Sequence, residues 1–209
     1  MTIKRVGIVG SGTMGSGIAE VASKNGYEVI LRSRSQAGAD GMVKGLEKSL
    51  GKQVEKGKLS EADRDAALAR VRGVTDLNEL SECDLVVESV LEDLAVKKEL
   101  FAELDKICAA HTILATNTST LPVVEMAVAT ERPHQICGIH FFNPAPMMGL
   151  VEVVRAITSS DETVEAALAF AESCGKSPIE VRDVAGFVVN ALLFPYLNSA
   201  VRLLERGVA

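Results

Sequence analysis

A chain of 209 residues, 47% of them hydrophobic, has the length and apolar content for one large α/β domain, or a domain and the start of another. A formal charge of −6, 4% aromatic content and no tryptophan argue against nucleic acid as a partner, and no apolar run approaches the ~18 residues of a membrane helix. The chain enters a strand almost at once, which leaves no room for a signal peptide and predicts a cytoplasmic protein. Cys83, Cys108, Cys137 and Cys174 are widely spaced without a C-x-x-C pair, so buried reduced thiols are expected and no metal site.

Val6-Gly7-Ile8-Val9 is β-branched and strand-like. Gly10-Ser11-Gly12-Thr13-Met14-Gly15 follows, and then Ile18, Ala19, Val21 and Ala22 recur at helical spacing until Asn25-Gly26. Strand, glycine turn and helix in succession form a dinucleotide-binding fingerprint. The first glycine makes the tight turn, the second admits the pyrophosphate, and the third lets helix and strand pack closely. A merely structural turn is the competing reading.

Residues 28–31 read as a second strand. An acid at its end would bind the ribose 2′-hydroxyl of NAD, but the chain reads Arg32-Ser33-Arg34. Two arginines flanking a serine suit the extra phosphate of NADP, so NADP(H) is favoured over NAD(H). A helix over 37–55 and a second over 61–69, capped by Ser60, make a hairpin longer than a crossover requires. It is long enough to cover a substrate. Short elements at 71–74 and 77–80 precede a buried strand at 84–88. The helix over 92–108 turns Leu94, Val96, Leu100, Phe101 and Leu104 to the sheet. The strand at 112–116 ends in Asn117-Thr118-Ser119-Thr120, where parallel sheets bind ligands.

Strands at 136–142 and 149–154 are separated by too short a link for a helical crossover, which predicts an antiparallel pair at one edge. A helix over 161–174, a strand over 177–181 and a very apolar helix over 186–205, interrupted by Pro195, complete the chain. The fold class is α/β: a doubly wound, mostly parallel Rossmann sheet with an antiparallel edge pair. His140 and Glu152 lie symmetrically about Pro146, so pairing of the two strands brings them within hydrogen-bonding range. A carboxylate on one ring nitrogen fixes the tautomer and leaves the other as general acid or base beside a nicotinamide. His111 and His134 lack such partners and read as surface residues.

These motifs together resemble the L-3-hydroxyacyl-CoA dehydrogenases, particularly short-chain 3-hydroxybutyryl-CoA dehydrogenases. The matching pieces are Gly10-Ser-Gly-Thr-Met-Gly15, Val86-Val-Glu-Ser-Val-Leu-Glu92, Asn117-Thr-Ser-Thr120, His140-Phe-Phe-Asn-Pro144, Leu150-Val-Glu-Val-Val154 and Gly186-Phe-Val-Val-Asn190. The resemblance implies that His140 is the catalytic base, with Glu152 its partner. It implies that Ser119 and Asn190 hold the 3-oxygen, and that Asn117, Glu92, Lys97 and Asn143 lie on the cofactor side, Asn143 also touching substrate. Ser49 and Lys56 fall where the family contacts CoA. The substrate implied is a short (S)-3-hydroxyacyl-CoA, oxidised to 3-oxoacyl-CoA.

The family pattern also implies a division into residues 1–184, a dinucleotide domain with hairpin 37–70, and residues 185–209, the truncated start of a helical domain. An apolar helix left uncovered there predicts a homodimer. Three other readings stay open. A 6-phosphogluconate-type β-hydroxyacid dehydrogenase would carry a catalytic Lys on the last helix, and none occurs between Gly186 and Ser199. A subunit of a larger fatty-acid oxidation enzyme is the second, against which the fingerprint at the N-terminus favours a free-standing protein. A non-catalytic nucleotide-binding fragment is the third.

Overall fold

The structure, a computed structural model, describes residues 2–208. Its centre is one eight-stranded sheet. Five strands continue the parallel order expected of a doubly wound fold: β1 (Arg5–Val9), β2 (Glu28–Arg32), β3 (Val71–Val74), β4 (Leu85–Glu88) and β5 (Ile113–Thr116). β6 (Ile136–Phe141), β7 (Leu150–Arg155) and β8 (Ser177–Arg182) extend it, giving the order β3-β2-β1-β4-β5-β6-β7-β8. Only β6 and β7 pair antiparallel, as the short link between them requires. β8 lies outside them, parallel to β7, so the antiparallel pair is one strand in from the edge.

Helices cover both faces: α1 (Thr13–Lys24), α2 (Gln36–Glu55), α3 (Glu61–Ala69), α4 (Leu94–Ile107), α5 (Val123–Ala127) and α6 (Asp161–Ser173). Both faces of the sheet are therefore buried, which is why β4 and β5 are apolar without alternation. One apolar cluster joins α1, β1 and α6, and a second joins α4, α5 and the other face.

Three expectations shift. α4 begins at Leu94 because Asp93 is its N-cap, its side chain accepting from the Val96 N–H. Val96, expected to face the sheet, is 42% exposed, and Lys97 is buried in its place beside Leu100, Phe101 and Leu104. The short α5 went unread because its cap is remote. Asp183 accepts from the N–H groups of Val123 and Val124 at 2.9 and 2.8 Å.

The last helix, α7 (Val189–Glu205), starts later than its apolar run. Gly186 and Phe187 both take the left-handed conformation, with φ of 78° and 48°, and break the helix there. No residue of α7 is buried.

Candidate active site

The glycine turn is built from three differently constrained positions. Gly10 has φ of 128°, and a Cβ there would stand 2.2 Å from the Ser89 carbonyl oxygen. A Cβ on Gly15 would stand 2.2 Å from the Gly10 oxygen, so that glycine lets α1 close on β1. Gly12 has no atom within 4 Å of its would-be Cβ. It is also the N-cap of α1, and no side chain caps the helix. Open space against uncapped N–H groups is what a pyrophosphate needs, so the residues present fit a dinucleotide.

At the end of β2, the two arginines are not equivalent. Arg32 turns its Nε to the Thr75 carbonyl at 3.2 Å. Ser33 is buried, its hydroxyl pressed against Gly38, and its N–H bonds the Val74 carbonyl. Arg34 is exposed and makes no side-chain hydrogen bond among the described residues. Of the pair expected to flank a phosphate, only Arg34 is wholly free.

Beside the turn lies a buried charge cluster. Glu88 and Lys97 are 0% and 1% exposed and meet at 2.6 Å. Glu88 also accepts from the Thr116 hydroxyl and the Val90 N–H. Lys97 reaches Glu92 at 3.3 Å. Glu92 in turn holds the Thr118 hydroxyl and accepts the Ser119 N–H at 3.0 Å. Burial raises the Glu92 carboxyl, but Thr118, Lys97 and the Ser119 N–H outweigh it and hold the group below its ordinary value. Lys97, expected on the cofactor side, is thus sealed beneath Glu92 and supports the Ser119 turn from below. Asn117 is likewise turned inward, its side-chain oxygen accepting the Phe141 N–H at 2.9 Å.

Strand register places His140 directly opposite Glu152. His140 Nδ1 lies 2.8 Å from Glu152 Oε2, and its Nε2 lies 3.0 Å from the Ser119 hydroxyl. A carboxylate only accepts, so Nδ1 carries the proton and Nε2 receives the Ser119 O–H. The other Glu152 oxygen accepts the N–H groups of Val188 and Val189 at 3.0 and 2.9 Å. Asn190 Nδ2 donates to the Ser119 carbonyl at 3.3 Å. Phe187 packs its ring 5.6 Å from that of His140. Asn143 is exposed on the loop between β6 and β7, at the rim of a cavity.

That cavity, of about 200 Å³, lies between α1, α2 and the β6–β7 loop, and Ser49 lines it together with Asn143. Lys56 is exposed at the end of α2, two helical turns past Ser49 on the same face. His111, expected to lack a partner, lies 3.2 Å from Asp84, whose carboxylate also accepts the Lys4 and Arg5 N–H groups at the opposite end of the sheet. His134 is exposed. The four cysteines are buried and free, and burial pushes the Cys83 thiol up to about 12. Among the described residues, no group of three or more His, Cys, Asp or Glu side chains is arranged to hold a metal, and no helix is long and apolar enough to cross a membrane.

Sequence reasoning missed Phe187, the two α7 N–H groups and Glu88. Glu88 was visible as a lone charge closing an apolar strand; backbone donors leave no mark in a sequence.

A phosphate-ready glycine turn opening onto a histidine at the strand ends defines a dinucleotide-binding oxidoreductase. The chain belongs to the 3-hydroxyacyl-CoA dehydrogenase family, whose NAD-binding domain matches residues 5–184. It is 46% identical to a 3-hydroxybutyryl-CoA dehydrogenase of Mycobacterium tuberculosis, covering 99% of this chain and 73% of that one. A probable 3-hydroxybutyryl-CoA dehydrogenase of Bacillus subtilis is 42% identical, with 100% and 73% covered. The crystal structure of an (S)-3-hydroxybutyryl-CoA dehydrogenase from Ralstonia eutropha superposes with a TM-score of 0.97 at 39% identity, covering 100% of this chain and 74% of that one.

The glycines separate stability from binding. Gly10→Ala meets both a left-handed backbone and a carbonyl, and should cost about 3 kcal/mol, or roughly 6–12 °C in Tm. Gly12→Ala should leave Tm within about 2 °C yet weaken dinucleotide binding about ten-fold or more. Thermal melts and fluorescence titration with reduced dinucleotide check both.

Proposed function

We propose that the chain interconverts short (S)-3-hydroxyacyl-CoA, such as 3-hydroxybutyryl-CoA, and 3-oxoacyl-CoA, with His140 and Glu152 as its acid–base pair. The contact chain Glu152–His140–Ser119, which protonates Nδ1 and leaves Nε2 facing only a hydroxyl, carries this reading. The names of the relatives support the substrate class. A bound nicotinamide supplies the hydride acceptor or donor.

The chain's own residues handle the proton. In oxidation His140 Nε2 takes the hydrogen of the 3-hydroxyl as the C–H bond gives up its hydride, leaving a ketone and an imidazolium. Glu152 stabilises that imidazolium, and the Val188 and Val189 N–H groups keep the carboxylate in place. Ser119 and Asn190 orient the 3-oxygen against Nε2. In reduction the same nitrogen returns the proton to the forming alkoxide. Asn143 at the cavity rim touches substrate and cofactor, while Ser49 and Lys56 line the CoA path along α2.

NADP(H) is proposed over NAD(H). The support is the absence of an acid at Arg32-Ser33-Arg34 and the free guanidinium of Arg34. Residues 185–209 are proposed to begin a second, helical unit. Its apolar side chains Leu192, Phe194, Tyr196 and Leu204 are 58–72% exposed. A two-fold pairing of α7 with its copy buries them, so a homodimer is proposed.

Steady-state reduction of acetoacetyl-CoA tests the reaction. His140→Ala should lower kcat by about 10²–10⁴-fold with dinucleotide affinity unchanged, and Glu152→Gln should lower kcat and move the pH profile. Full turnover in either variant removes that residue from the mechanism.

Titration of NADPH against NADH tests the cofactor. NADPH should bind more tightly, and Arg34→Ala should weaken it about ten-fold while sparing NADH. Equal or tighter NADH binding in the unaltered chain overturns the preference.

Light scattering across a dilution series tests the assembly. A dimer mass should persist at micromolar concentration, and a monodisperse monomer there abandons the α7 interface.

A further inference from the structure

The link between β6 and β7 carries Asn143 but has little of its own to hold it in place. Asn143, Pro144, Met147, Met148 and Gly149 are exposed, and Ala145, at 2%, is the one buried residue between Phe142 and Gly149. No side chain of that stretch makes a hydrogen bond among the described residues. The Met147 and Met148 N–H groups both bond the Pro144 carbonyl, at 2.9 and 3.0 Å. Those bonds close the turn on itself and do not anchor it.

Two contacts from elsewhere do. Gly17 of α1 admits Ala145, whose methyl would stand 3.2 Å from a Cβ at that glycine. Lys176 supplies the polar contact: its Nζ donates to the Ala145 carbonyl at 2.7 Å and to the Met148 carbonyl at 2.9 Å. The lysine backbone is itself fixed by the end of α6. Gly175 is left-handed, with φ of 70°, and the Lys176 N–H turns back to the Ala171 carbonyl at 3.1 Å.

An ammonium is a costly choice for this place. Lys176 is half-buried, yet no carboxylate lies within salt-bridge distance of it among the described residues. Burial pulls its ammonium below the ordinary lysine value. A methionine would fill the same length without that cost. It would lack the donors, and here two donors bridge acceptors three residues apart.

On the dehydrogenase reading above, we propose that Lys176 is a positioning residue, whose ammonium staples the β6–β7 turn to the α6–β8 junction and so holds Asn143 where it meets substrate and cofactor.

Lys176→Met tests this with and without turnover. Amide exchange at Met147 and Met148 should quicken about ten-fold, while the β6 and β7 amides stay protected. KM for acetoacetyl-CoA should rise about five-fold with kcat within about two-fold, and reduced dinucleotide should bind about five-fold more weakly. Lys176→Arg, which keeps the donors, should restore all three to within about two-fold. Asn143→Ala should reproduce the KM and dinucleotide changes, and the double variant should add nothing to them. Unchanged exchange at the turn, an arginine that behaves as methionine does, or additive effects in the double variant overturns the proposal. An unaltered chain that binds dinucleotide but does not reduce acetoacetyl-CoA sinks the proposed reaction instead, and exchange and dinucleotide titration then decide the role of Lys176. No dinucleotide binding by the unaltered chain overturns both.

Discussion

Glu152 has no exposure to solvent, and a carboxylate in that position is stable only if its lone pairs are met. They are met by His140 on one oxygen and by the Val188 and Val189 N–H groups on the other. The same contacts that satisfy the charge orient the imidazole. They also tie the start of α7 to the sheet, so the helix cannot move without releasing a buried charge, which costs several kcal/mol. The left-handed turn at Gly186 and Phe187 aims those N–H groups at Glu152 and lays the Phe187 ring near His140. Backbone strain, helix start and the His140–Glu152 contact are therefore a single arrangement.

A second buried charge sits on the other side of Ser119. Glu88 and Lys97 neutralise one another, and Lys97 shares its ammonium with Glu92. Glu92 grips the Ser119 turn through the backbone, Asn190 holds that residue's carbonyl, and His140 holds its hydroxyl. Three separate segments, the β4–α4 loop, α7 and β6, thus converge on one serine. Its hydroxyl is held within hydrogen-bonding distance of Nε2 before any ligand arrives, which is the geometric requirement for oriented proton transfer.

The fold was legible wherever a local pattern decided it. The glycine spacing of β1–α1, the apolar strands β4 and β5, and the short link between β6 and β7 each left one architecture. The opposition of His140 and Glu152 was legible because the two lie symmetrically about Pro146, so a symmetric hairpin sets them opposite one another. What escaped was long-range. Asp183 caps α5 across some sixty residues of chain, and β8 joins the sheet outside β7 without any marker of its place. Lys97 is placed on the cofactor side by the family resemblance, and its burial depends on Glu88, nine residues away across a strand–helix turn. Arg32 and Arg34 look alike in sequence; only the approach of Thr75 distinguishes them.

Helix α1 carries groups of opposite polarity along its length. Its uncapped first turn presents N–H groups and the positive end of the dipole, beside a glycine with open space. About two turns further on, roughly 10 Å along the axis, Glu20 lies buried on the same helix. The positive end of the dipole and a buried carboxylate thus lie on one helix. The β6–β7 loop lies across both regions, since Ala145 and Pro146 stand within 3.2 and 3.3 Å of where a Gly17 side chain would begin. Gly17 brings that loop down onto α1 between the two, and with it Asn143, only three residues past His140. The glycine turn, the seat of the loop and the buried carboxylate are therefore fixed relative to one another by the spacing of Gly12, Gly17 and Glu20 along a single helix.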